Sequence, residues 1–69
     1  MEKLTELEMK IYEYIKAFIN EHSYSPTYGE IAAACYVSKT VVFFYIERLC
    51  DKGYIAKENH KGRTIRILI

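Results

Sequence analysis

Three helix-start signals, at Thr5, Thr27 and Ser38, partition most of this chain into consecutive helices with little room between them. Glu8 stands three residues after Thr5, and Glu30 three after Thr27. That is the spacing of a capping box, in which the hydroxyl accepts from the amide three residues on and the carboxylate reaches back to the cap amide. Leu4 with Met9, and Val37 with Val42, occupy hydrophobic-staple positions around the first and third caps. Each start also bounds the helix before it. The spacing predicts a first helix from the Thr5 cap to near His22-Ser23, a second from Tyr28 to about Cys35, and a third from the Ser38 cap to about Lys52. Pro26 biases Ser25 away from helical geometry, so 24–27 is a loop. Tyr36-Val37 is a tight turn, and Gly53 ends the third helix at a C′ position, with Lys52 at the negative end of its dipole.

Periodicity assigns the faces. Leu7, Ile11, Tyr14, Ile15, Phe18 and Ile19 recur at helical spacing and predict the buried stripe of the first helix, opposite Glu6, Lys10, Glu13, Lys16 and Glu21. Ile31, Ala32 and Cys35 form the inner face of the second helix, and Val42, Ile46 and Leu49 that of the third. After Gly53, Tyr54-Ile55-Ala56 reads as a short strand, residues 57–63 as a polar loop, and Thr64–Ile69 as an alternating second strand with Ile65, Ile67 and Ile69 facing inward. The expected fold is mostly α with a small β-hairpin: a three-helix winged helix-turn-helix, filling residues 1–69 as one domain.

Sixty-nine residues bury a marginal core and leave little for an enclosed cavity. The composition, 51% hydrophobic and 28% charged, is that of a globular chain. The N-terminus shows no signal-peptide core, and no apolar run approaches a bilayer span, so a cytoplasmic location and no membrane partner are expected. Cys35 and Cys50 form no C-x-x-C pair and, with His60, have no metal-ligand spacing; both read as core thiols. His22 and His60 read as surface residues. Ser23, Ser25 and Ser38 have no His/Asp partner pattern. Neither an enzyme activity, nor a cofactor, nor a small-molecule substrate is expected.

The net charge of +1 conceals an asymmetry. Residues 1–35 hold three lysines against six glutamates (−3), and residues 36–69 hold seven Lys/Arg against three acids (+4). A basic second half favours an anionic partner. A helix-turn-helix places the N-terminal half of its second helix in the major groove of duplex DNA. Thr27-Tyr28 and Ser38-Lys39 are positioned to offer helix N-terminal amides to phosphates. Lys57, Lys61 and Arg63, with Arg66 beyond them, give the hairpin a basic tip that suits the neighbouring backbone.

Leu4-Thr5, Ile11-Tyr12, Ile15, Ile19, Pro26-Thr27-x-x-Glu30-Ile31-Ala32, Val37-Ser38, Leu49 with Lys52-Gly53-Tyr54-Ile55, and Arg63-Thr64-Ile65-Arg66-Ile67-Leu68 together resemble the N-terminal DNA-binding domain of LexA-type repressors. The resemblance covers nearly the whole chain. It implies a winged fold and sequence-specific binding to double-stranded DNA, usually as a dimer. By position it puts Ser38, Thr40, Val41, Phe43 and Phe44 on the DNA-facing side of the third helix. Two departures stand out. The family's self-cleaving C-terminal domain has no counterpart in these residues, so no cleavage activity carries over. The third helix reads Val41-Val42-Phe43-Phe44-Tyr45, where such helices usually carry polar or charged residues.

Successive helical residues lie about 100° apart, so with Val42 and Ile46 inward at least one of Phe43 and Phe44 must face solvent. An exposed aromatic pair suits thymine methyls or a protein surface. Two functions therefore stay open: a repressor-like DNA-binding regulator, and a winged-helix interaction or dimerisation module using the apolar face of the third helix.

Overall fold

Thr5, Thr27 and Ser38 all adopt extended backbone and accept a hydrogen bond from the amide three residues on, at 3.3, 3.1 and 3.2 Å. Both capping boxes close: the Thr5 amide donates to Glu8 Oε1 at 2.7 Å and the Thr27 amide to Glu30 Oε1 at 2.8 Å. A cap of this kind is worth about 1 kcal/mol, enough to set where a short helix starts. The computed structural model, which describes residues 3–58 and 63–69, accordingly contains α1 (Glu6–His22), α2 (Tyr28–Cys35) and α3 (Lys39–Asp51). Two short strands follow, β1 (Ile55–Ala56) and β2 (Arg66–Ile67), paired antiparallel with Ile55 opposite Ile67 and Ala56 opposite Arg66. This is the winged helix-turn-helix order.

The helix ends are less conventional than the starts. Ser23 (φ 66°) and Tyr36 (φ 59°) both close their helices in the left-handed region. For a non-glycine residue that conformation costs about 1–2 kcal/mol. The expected tight turn at 36–37 is thus made by Tyr36, whose side chain is 89% exposed. Gly53 (φ 83°) takes the left-handed position after α3, as its sequence position predicts.

The core is built from one face of each helix and the inner positions of the hairpin. Ile11, Ile15, Ile31, Val42, Ile46 and Leu49 are fully buried, and Ile55 and Ile65 seal the open side. Between α2 and α3 the chain bends by 105°, within the range of about 90–120° typical of a helix-turn-helix. No single helix among the described residues is long and apolar enough to cross a membrane.

Three details depart from the sequence expectation. α1 buries Glu8 and Tyr12 as well as Ile11 and Ile15, while Leu7, Tyr14 and Ile19 pack at the margin. The strands are two residues each, and Ile69, expected inside, is exposed beyond the end of β2. Its backbone carbonyl accepts from the Tyr12 hydroxyl, which ties the end of the chain to α1 and gives the buried tyrosine a partner. Lys52 does more than complement the α3 dipole: its ammonium reaches Glu8 at 2.7 Å and the Lys3 carbonyl at 3.1 Å.

Candidate nucleic-acid interface

The inward stripe of α3 dictates its outward one. Val42, Ile46 and Leu49 are fully buried, while Lys39, Thr40, Phe43 and Phe44 are all exposed. Phe43 and Phe44 are 54% and 55% exposed, so both rings of the pair, and not one of them, project outward. Val41 is half-buried beside them. Ser38 is exposed at the start of α3, but its hydroxyl already accepts from the Val41 amide.

Neighbouring side chains hold the two phenylalanine rings. Phe43 meets the Tyr28 ring edge-on at 6.2 Å between centroids, which joins the first turn of α2 to the middle of α3. Phe44 meets Tyr45 edge-on at 5.5 Å, and the Arg48 guanidinium lies over its ring at 5.6 Å. Tyr28 and Thr27 are half-buried at the start of α2. Burial raises the Tyr28 phenol above its ordinary pKa, against the lowering effect of Lys57. Tyr28 therefore faces this surface as a neutral hydrogen-bonding ring.

The basic residues of the hairpin are more committed to the fold than their sequence positions suggest. Lys57 pairs with Glu47 of α3 at 2.8 Å, and its side chain is only 12% exposed. That carboxylate raises the pKa of the Lys57 ammonium, while partial burial opposes the shift. Arg63 donates to the Ser25 carbonyl at 3.1 Å, pairs with Glu30 of α2 at 3.1 Å, and stacks over Tyr24 at 4.9 Å. Its own backbone is left-handed (φ 56°). Buried Ser25 completes the junction: its hydroxyl accepts from the Ile65 amide at 3.2 Å and donates to the Pro26 carbonyl at 3.0 Å. Lys61 lies outside the described residues, as does His60.

Tyr28 and Phe43 are in ring contact across the α2–α3 pair, and Ser38, Lys39, Thr40 and Phe44 are exposed along the first half of α3. Lys57 is tied to α3, and Arg63 to the start of α2. Sequence reasoning missed the polar network behind this surface. Glu8, fully buried, receives Arg48 Nε at 2.6 Å and Lys52 Nζ at 2.7 Å. Burial by itself would raise the Glu8 pKa. The bonds from Lys52, the Thr5 amide and Arg48 outweigh it and hold the carboxyl down at about 2. A four-residue spacing of Arg48 and Lys52 on one helix was the available signal, though nothing local names the acid they share. Among the described residues, no cluster of three His, Cys, Asp or Glu side chains is placed to hold a metal ion.

The model of the LexA DNA binding domain family matches residues 1–64. Over 69 residues, 99% of this chain, the sequence is 39% identical to proteins named LexA repressor from Bacillus mycoides (strain KBAB4), Bacillus cereus (strain Q1) and Bacillus anthracis. The chain spans 34% of the length of these curated relatives. The matched segment takes in all three helices and the first hairpin strand, the elements that build the surface described above. The chain belongs to the LexA DNA binding domain family.

Proposed function

We propose that this domain binds double-stranded DNA in a sequence-dependent manner as the DNA-reading part of a repressor. α3 enters the major groove, and the N-termini of α2 and α3 meet phosphates on either side. The observation that carries this reading is the exposed outer side of α3, Lys39-Thr40 with Phe43-Phe44, standing on a helix pair bent by 105°. A major groove about 12 Å wide admits one α-helix presented in this way. Lys39, Thr27 and Tyr28 serve as phosphate-side contacts, and Ser38, Thr40, Val41, Phe43 and Phe44 face the bases. Lys61, a basic residue of the 57–63 segment by sequence, is assigned a contact to the DNA backbone. Lys57 and Arg63 contribute field and placement, because each already holds a carboxylate of the helices. A domain this small buries limited surface, so two copies on paired half-sites supply useful specificity. No catalytic step is assigned to these residues.

Titrating the domain into a fluorescent random-sequence duplex at low and moderate salt tests the reading. Binding is expected to weaken steeply with salt, as counterion release requires. Lys39→Ala should lower affinity on every sequence alike and flatten the salt dependence by about one unit of slope. An absence of binding at low salt would overturn the reading.

A second reading has its own support. Two adjacent phenylalanines, each more than half exposed on one helix, also make an apolar contact for a second protein chain. Sedimentation that finds a dimer in the wild type and a monomer after Phe44→Glu would favour it.

A further inference from the structure

Direct reading of guanine or adenine by a helix relies on side chains that bond two atoms of one base edge: Arg or Lys for guanine, Asn or Gln for adenine, with Asp or Glu for cytosine. Between Ser38 and Tyr45, α3 offers none of these except Lys39. The next two charged residues along the helix are engaged in the fold, Glu47 with Lys57 and Arg48 with Glu8. The Ser38 hydroxyl accepts from the Val41 amide at the α3 cap, which leaves its O–H to donate to one further atom. What the groove-facing part of α3 offers besides Lys39 is mainly apolar, Val41, Phe43, Phe44 and the methyl of Thr40, together with the hydroxyls of Ser38 and Thr40, which bond a single base atom and suit several bases. The thymine C5-methyl is the apolar group that a base pair presents in the major groove.

We infer that Phe43 and Phe44 read thymine methyl groups, so that base discrimination by this domain is chiefly apolar and its preferred half-site is set by the positions of thymines. The inference rests on the duplex-binding reading above. The two rings project from neighbouring positions about 100° apart around the helix axis, so they address different base pairs. Each is braced before any contact is made, Phe43 against Tyr28 and Phe44 between Tyr45 and Arg48. Bracing lowers the entropy that immobilising a ring in the groove costs. Lys39, at the start of the same face, supplies the electrostatic hold without setting the sequence.

The test begins with selection of a preferred site from a randomised duplex pool. Each thymine of that site is then replaced, one at a time, by deoxyuridine, which removes only the methyl. Affinities of the wild type, Phe43→Ala and Phe44→Ala are compared, with helix content checked by circular dichroism. At one or more positions the wild type should lose about fourfold in affinity per methyl removed, the equivalent of one buried methyl-sized group. In the variant lacking the ring that covers that methyl, thymine and deoxyuridine sites should bind alike. Salt-dependent duplex binding with no thymine preference at any position overturns this inference and leaves duplex binding standing. A preference that persists in both alanine variants also overturns it, since the methyls are then read by other groups. Failure to bind any duplex at low salt overturns the duplex reading itself.

Discussion

Glu8 and Glu30 hold the same place in the same local motif, three residues after a capping threonine, yet they do different work. In each, Oε1 closes the capping box and Oε2 meets an arginine from a distant part of the chain. Glu8 is fully buried and takes Arg48 of α3 at 2.6 Å and Lys52, the C-cap of α3, at 2.7 Å. Glu30 is partly exposed and takes Arg63 at 3.1 Å, just before β2. The first joint welds α1 to the last turns of α3 inside the fold; the second moors the hairpin to the start of α2 at its surface. A capping box therefore specifies where a helix begins. What lies across from the free oxygen decides whether the acid becomes structural.

Removing the acid from each box separates the two. Glu8→Gln should lower unfolding stability by about 3 kcal/mol, because it leaves Lys52 and Arg48 facing a buried neutral group; urea denaturation measures it. Glu30→Gln should shift the urea midpoint far less, since its ion pair is solvent-screened. Equal shifts would erase the distinction.

The next largest effect is on the acid side. The Glu8 carboxyl is held at about 2 in the fold, against an ordinary value of 4.5. The unfolded chain binds the proton more readily. The stability this group contributes is thus complete above about pH 5 and lost as pH falls toward 2. Glu30 is also lowered, first by the Thr27 amide and then by Arg63, so its contribution is likewise lost on acidification. Stability measured from pH 6 to pH 2 should fall steeply in the wild type and much less in Glu8→Gln, while Glu30→Gln keeps most of the slope.

A smaller effect belongs to Arg63→Ala, which frees the Tyr24 ring, the Ser25 carbonyl and the Glu30 carboxylate together. Amide exchange at Ile65, whose N–H is bonded to Ser25, should accelerate while exchange in the middle of α3 stays slow. Smallest of all, raising salt from 0.1 to 1 M should speed Ile65 exchange modestly in the wild type and hardly at all in Arg63→Ala. The exposed pair is screened, and the bond between buried Glu8 and nearly buried Lys52 much less so.

The same pair of glutamates marks how far the sequence could be read. Helix starts, the inward residues of α2 and α3, the hairpin and the exposure of at least one of Phe43 and Phe44 follow from caps and periodicity, because those signals are local. The burial of Glu8 does not, since it depends on two cations forty and more residues away that pack over it only once α3 is in place. Periodicity also treats Tyr12 as off the stripe, yet the Ile69 carbonyl and the Tyr54 ring draw it inward. On the candidate interface, charge counting placed Lys57 and Arg63 on a basic tip, and it could not see that Glu47 and Glu30 would claim them. Composition reports how many charges there are; only folding decides which are already matched.

Arg48 belongs to both sides of the molecule. Its Nε holds Glu8 in the interior, and its guanidinium plane covers Phe44 on the outer side of α3. Residues sharing a partner in this way rarely contribute independently, with couplings of about 0.5–3 kcal/mol. A change at Phe44 alters the bed on which Arg48 rests, and through Arg48 it bears on the anchorage of α1. Phe43, edge-on to Tyr28, has no such tie to the interior acid.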